Sequence, residues 1–244
     1  MTEKYYLAAY WGGRKETLDA CVGRTFQCLS KLADFDDSFS RWYRRDRSRK
    51  NAFRQPITLD FESLKILLAG GRNKRDFDGS VISELGFRVG LWNGAIDSES
   101  MGLNLLCGSY SNSPHIVNSF VINLPEEGDS AKRLLNTEFL RELIAVVVRS
   151  WEPEWAVVNS TEYRNLHGTN SPKKPTVGWL FYLASFPDNL PKLPTFADRT
   201  AVGDRGQILT LTEERFTVTN SEHIALANQL QKVLNSSKEL APTL

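Results

Sequence analysis

The chain has no uncharged apolar run near the roughly 18 residues that a membrane-spanning helix needs. Its richest stretch, Phe139 to Trp151, is interrupted by Arg141, Glu142 and Arg149, so no membrane partner is expected. Net charge is also scarce: 30 Lys and Arg stand against 29 Asp and Glu, leaving +1, and no overall field marks the chain for nucleic acid or lipid. Only three cysteines occur, Cys21, Cys28 and Cys107. None has the paired Cys-x2-Cys spacing of a zinc site or the density of a disulfide scaffold. Buried, reduced thiols that behave as small hydrophobes are the expectation.

Catalytic patterns are missing as well. His115, His167 and His223 are far apart and sit in no metal or triad pattern, so solvated or locally bonded rings are expected. There is no Gly-x-Ser-x-Gly elbow and no Gly-x4-Gly-Lys-Ser/Thr phosphate loop. Gly12-Gly13-Arg14-Lys15 lies between a strand and a helix, where amides can bind an anion, but a simple turn explains it. No Asp or Glu is followed two residues later by Lys, the spacing of restriction-type nucleases. These absences exclude no enzyme assembled from distant residues, but they point to a non-enzyme without cofactor or metal.

What is present is an ordinary globular composition, 41% hydrophobic and 24% charged, in a chain long enough to bury a large core. Residues 5–11, Tyr-Tyr-Leu-Ala-Ala-Tyr-Trp, read as a strand because aromatic residues fit a pleated surface. The strand begins so early that no secretory signal is expected ahead of it, and a cytoplasmic protein is expected. A helix follows, with Leu18, Cys21, Val22, Thr25, Phe26, Leu29 and Leu32 on one stripe. Phe61, Leu64, Leu67 and Leu68 predict a short helix that stops at Gly70-Gly71, before a polar loop over 72–80.

Strands are predicted at about 85–94, 102–109 and 116–124 at hairpin spacing, the third alternating through Phe120, Ile122 and Leu124. A long helix starts at about 131 or 137 and runs to Trp151, where Pro153 stops it. Strands at 155–159, 178–184 and 207–212 follow, with a polar loop over 163–175 and a proline-rich linker over 186–196. Thr219-x-x-Glu222 suggests a capping box for a last helix, 221–235. Meanders with helices at both ends predict an α+β fold, a mainly antiparallel β-sheet with helices packed on it. Two similar halves in one continuous sheet is the second arrangement. A single domain over 1–244 is expected, its core at about 5–235 and a flexible tail at 236–244.

Four aromatic blocks occur in order: Tyr5-Tyr6-Leu7-Ala8 with Tyr10-Trp11-Gly12, then Arg41-Trp42-Tyr43, Trp92-Asn93-Gly94 and Val177-Gly178-Trp179-Leu180. Together with Glu16 and Leu18 they resemble the immunity protein 52 family of bacterial polymorphic toxin systems, over roughly residues 5–235. The resemblance implies a type VI secretion immunity protein whose partner is a cognate nuclease toxin. It implies a scaffold role for the aromatic blocks, since they are structural rather than catalytic.

Charge is concentrated in one place. Arg41 to Arg54 holds Arg41, Arg44, Arg45, Arg47, Arg49, Lys50 and Arg54 against Asp46 alone, a local charge of +6 that leaves −5 for the rest. Trp42, Tyr43 and Phe53 are interleaved, a composition that suits a solvated structural segment, a protein partner or nucleic acid. Acids cluster at Asp34, Asp36, Asp37, at Glu126, Glu127, Asp129, and at 152–154 and 213–214. Such acids suit capture of a toxin with a positive substrate groove. The toxin-binding candidates are therefore Asp34, Asp36, Asp37, Arg44, Arg45, Arg47, Glu126, Glu127 and Asp129. The expected function is a cytoplasmic immunity protein that neutralises a restriction-endonuclease-like effector by stoichiometric binding. A nucleic-acid-binding module using residues 41–54 is the alternative, and self-association stays open.

Overall fold

Tyr5–Trp11 is the first strand, β1, and it lies inside the sheet rather than at an edge. It pairs antiparallel with Asn118–Asn123 (β6) on one side and Trp155–Ser160 (β7) on the other. The computed structural model describes residues 2–113, 115–167, 174–185 and 198–236. The remaining strands are Trp42–Arg44 (β2), Pro56–Ile57 (β3), Phe87–Trp92 (β4), Gly102–Cys107 (β5), Leu180–Leu183 (β8), Asp198–Ala201 (β9) and Gln207–Thr210 (β10). All ten join one antiparallel sheet in the order β3-β2-β4-β5-β6-β1-β7-β8-β10-β9. The α+β expectation holds, and the sheet is continuous from one half of the chain to the other.

Helices Leu18–Phe35 (α1), Phe61–Gly70 (α3) and Thr137–Trp151 (α5) lie together on one face. Thr17 starts α1 by accepting from the Ala20 amide, and Asn136 starts α5 by accepting from the Phe139 amide. Each cap satisfies a backbone donor that the first helical turn leaves without a partner. Glu152 closes α5 in the left-handed region, φ 51°, just ahead of the helix-stopping Pro153. Leu29, Leu32, Leu64, Leu143, Ile144 and Val147 are fully buried beneath these helices. Each such side chain contributes roughly 1.5–3 kcal/mol when removed from water. Trp11 stacks on Trp151 at 5.4 Å between ring centroids, which locks β1 to α5.

Several expectations need correction. Phe26 and Phe61 are exposed, because each sits at the margin of its helix's buried stripe rather than inside it. The long helix takes the later of its two expected starts, Thr137, capped by Asn136; residue 131 belongs to a separate helix, Gly128–Leu134 (α4), which ends at Leu135. Residues 163–167 are not loop but part of a helix, Thr161–His167 (α6), anchored by buried Tyr163. A short helix with one apolar anchor leaves almost no periodic signal. The last helix, Ser221–Ser236 (α7), is capped by Asn220, whose side chain accepts from the Glu222 amide, and not by Thr219. The 72–80 loop carries two isolated bridges, Arg72 to Phe87 and Lys74 to Val81. The linker over 186–196 and the tail beyond 236 lie outside the described residues.

All three cysteines are free and buried. Burial pushes the Cys28 thiol up to about 12 and also raises Cys107, so both stay protonated.

Candidate functional site

The register of the sheet assigns each strand residue to a face. Phe87, Val89 and Leu91 of β4 point to the helices, so Arg88, Gly90 and Trp92 point to the other face. Partners across the sheet carry this face through Asn104 on β5 and Val121 on β6 to Ala8 on β1 and Val157 on β7; it is open at β4 to β6 and buried at Ala8 and Val157.

The basic segment folds onto that face. Tyr43 of β2 is paired with Trp92, and the Arg45 amide donates to the Gly90 carbonyl at 3.0 Å. Ser48 then caps a single helical turn, Arg49–Ala52 (α2), by accepting from the Asn51 amide. This turn brings Phe53 edge-on against Tyr43 at 5.2 Å and Trp92 at 5.0 Å. Asp46 is spent holding the turn together, accepting from Asn51, Gln55 and the Arg47 amide. Those bonds, Asn51's first, hold its carboxyl below the usual carboxylate range.

Arg49 pairs with Asp97 at 3.3 Å. Arg45 lies across Gly90 and Gly102 and donates to the Asn104 side chain at 3.3 Å. Arg41, Arg44, Arg45, Arg47, Lys50 and Arg54 have no carboxylate partner among the described residues.

The acidic candidates behave differently. Burial alone would raise the Asp36 carboxyl, but hydrogen bonds from Arg133 and Ser38 outweigh it and hold it below its ordinary value. Glu126 takes Lys4, Glu127 takes the Thr2 hydroxyl and Asp129 takes Lys132. Only Asp34 and Asp37 of this set are exposed with side chains that make no such contact. The Glu126 amide donates to the Ser98 carbonyl, which seats the 126–129 loop beside the β4–β5 turn and its Asp97 and Glu99. The structure thus gathers Asp36, Glu126, Glu127 and Asp129 on one rim, with Arg133 among them, and places Arg44, Arg45 and Arg47 elsewhere.

The other acids are committed too. Glu152 receives Arg205 and Arg24, Glu213 receives Arg141 and Thr137, and Glu154 accepts from the Gly12 amide at 3.0 Å. That last carboxylate occupies the place an anion would take at Gly12-Gly13.

Sequence reasoning missed Arg88 and Arg164. Arg88 was legible as the polar alternate of the Phe87-Val89-Leu91 strand; Arg164 lies in the helix that the sequence hid, with its guanidinium 5.1 Å from the centre of the Tyr6 ring.

The three histidines stand apart from one another. His223 is buried: its Nδ1 accepts from the Thr217 amide and its Nε2 faces Glu214 at 2.8 Å. His167 stacks on Tyr163 and His115 is exposed. No group of three His, Cys, Asp or Glu side chains could hold a metal among the described residues. None of their helices is long and apolar enough to cross a membrane. A cavity of about 310 Å³ beside the start of α1 is lined by residues that include Lys15, Glu16, Ser83, Arg72, Phe87 and Tyr110.

No curated relative matches this sequence. Its fold is similar to that of the Pseudomonas aeruginosa T6SS protein PA0821, with a TM-score of 0.56. The alignment covers 96% of this chain and 76% of that one at 15% identity, a likeness that shows the fold alone. Residues 3–243 match the family described as immunity protein 52. The chain belongs to the immunity protein 52 family.

Proposed function

We propose that the protein is a cytoplasmic immunity protein that binds and neutralises a cognate antibacterial toxin delivered by type VI secretion. It acts as one domain and by stoichiometric association, not by turnover. The observation that carries this reading is the family match over 3–243, which takes in the whole sheet and every helix. The resemblance to PA0821, a T6SS protein by its title, points to the same setting. The toxin is a restriction-endonuclease-like nuclease, in keeping with the partners that the family resemblance implies.

The test is growth of a bacterial host expressing the toxin encoded beside this gene, with and without the protein. Rescue, with a 1:1 complex recovered on co-purification, is the expected result. Continued killing with both proteins soluble and expressed would sink the pairing. The unpaired cations of residues 41–54 favour one competing function, nucleic-acid binding, whose steep loss with salt separates it from a packed protein interface.

A further inference from the structure

From β4 to β7, no open-face strand position carries a carboxylate. The positions hold Arg, Asn, Ser, Gly, apolar and aromatic residues only. Arg88, Asn104 and Asn123 on this face are exposed, with Val121 and Ser119 half-buried between them. Arg45 borders the strip on one side and Arg164 on the other, and Arg88 rises from it. None of the three arginines meets a carboxylate among the described residues. The strip differs from the acidic rim, where Asp36, Glu126 and Asp129 are paired with Arg133, Lys4 and Lys132, in carrying uncompensated positive charge only.

Resting on the toxin-binding reading above, we propose that this open face of β4, β5 and β6, bordered by Arg164 over the buried Tyr6 of β1, is the toxin's docking surface. It takes an acidic, carboxylate-bearing face of that protein. Planar guanidinium groups match carboxylates with paired donors, and Arg45 is pre-positioned by its bond to Asn104. The Tyr43–Phe53–Trp92 cluster, with Phe53 47% exposed, supplies an apolar anchor at the border.

A protein fits better than nucleic acid for two reasons. Phe53 meets Tyr43 and Trp92 at 75° and 67°, so ring faces that would stack on bases are already covered by neighbouring edges. Asp46 and Asp97 also flank the cluster and would repel phosphates. On a nuclease, an acidic face is either the carboxylate group that holds its metal or a surface away from its substrate groove. Docking here therefore does not mimic the substrate's negative charge.

The experiment compares wild type, Arg88→Glu/Arg164→Glu and Arg88→Lys/Arg164→Lys for binding to the purified adjacent-gene toxin and for rescue. Both positions project from the surface, and a thermal melt checks that each variant is folded. The charge reversal should weaken binding by about 30-fold or more and abolish rescue, while the Lys pair, which keeps the charge but not the paired donors, should lose about three- to tenfold. Reversal at Lys132, on the acidic rim, should leave binding unchanged. A folded reversal variant that binds and rescues like wild type overturns this surface while leaving the immunity function intact. A wild type that neither binds nor rescues overturns both. Binding of a single-stranded oligonucleotide by wild type, lost on reversal and with toxin binding unaffected, assigns the face to nucleic acid and overturns the proposal.

Discussion

The guanidinium of Arg45 rests on the bare backbone of Gly102: a Cβ built there would overlap Arg45 Nη2 and lie 3.0 Å from its Cζ. Gly102 is therefore small so that an exposed arginine can lie flat on the sheet. Gly102→Ala should lift that side chain away at little cost to the fold, less than about 1 kcal/mol, because the colliding atoms are the free end of a flexible chain. Toxin affinity should fall by about tenfold, roughly 1.4 kcal/mol. Calorimetric titration and a thermal melt read the two effects separately. Unchanged affinity would remove Arg45 from the interface.

Gly178 presents the opposite case. A Cβ there would sit 2.5 Å from the Val158 carbonyl oxygen and 2.7 Å from Val157 Cγ2. Those atoms belong to β7 and its packed side chains, which have no free end to move. Gly178→Ala should cost more than about 3 kcal/mol through overpacking, read as a shift of the urea midpoint. A loss below about 1 kcal/mol would show that the contact over β7 yields to a methyl group.

Two buried tryptophans separate packing from hydrogen bonding. Trp179 Nε1 donates to the Thr212 carbonyl at 2.9 Å, whereas the buried Trp151 has only the weak acceptor of the Cys28 thiol beside it among the described residues. Replacement by Phe trims similar apolar area at both sites, but only Trp179→Phe leaves a backbone carbonyl short of its donor. Trp179→Phe should therefore cost about 1 kcal/mol more than Trp151→Phe. Equal losses in denaturant unfolding would count against the Trp179–Thr212 bond.

Asp36 links stability to pH. Its folded carboxyl lies below the ordinary value of about 3.9 because Arg133 and Ser38 bonds outweigh the opposing effect of burial. A depressed carboxyl adds stability above its unfolded value, and that increment fades as pH falls through the folded one. Asp36→Asn keeps the cap but loses the screened pair with Arg133, so it should cost about 0.5–1 kcal/mol at pH 7 and nearly nothing near pH 2. Denaturation at several pH values checks this; a difference that stays constant to pH 2 contradicts it.

Much of the scaffold was legible in sequence because its signals are local. Tyr5–Trp11 declared itself by aromatic content, and Phe120, Ile122 and Leu124 by alternation. Pro153 and Gly70-Gly71 marked their stops. Tyr163–His167 was hidden because one buried ring in seven residues makes no period. Thr219 looked like the cap since a one-residue shift in a helix start is invisible to spacing alone. The charge pattern misled in a different way. Asp36, Glu126 and Glu213 read as free surface acids, yet each is spent on Arg133, Lys4 or Arg141, partners distant in sequence. Arg88 and Arg164 lie 76 residues apart in sequence on one carboxylate-free face, a relationship that only the strand register discloses.

Unpaired arginines on an open face act first on encounter. Their field extends about 10 Å at 0.1 M salt and about 3 Å at 1 M, so screening should slow capture more than release. Raising NaCl from about 50 to about 500 mM should lower the toxin association rate by roughly tenfold while changing dissociation by less than about threefold. Arg88→Glu/Arg164→Glu should flatten the dependence of the association rate, since the charge that steers the approach is gone. A phosphate-bound ligand would respond differently, losing equilibrium affinity by about four to five orders of magnitude over that range if six contacts are made. Stopped-flow mixing of the two proteins distinguishes these outcomes. An association rate indifferent to salt in wild type would mean that these cations do not steer the encounter.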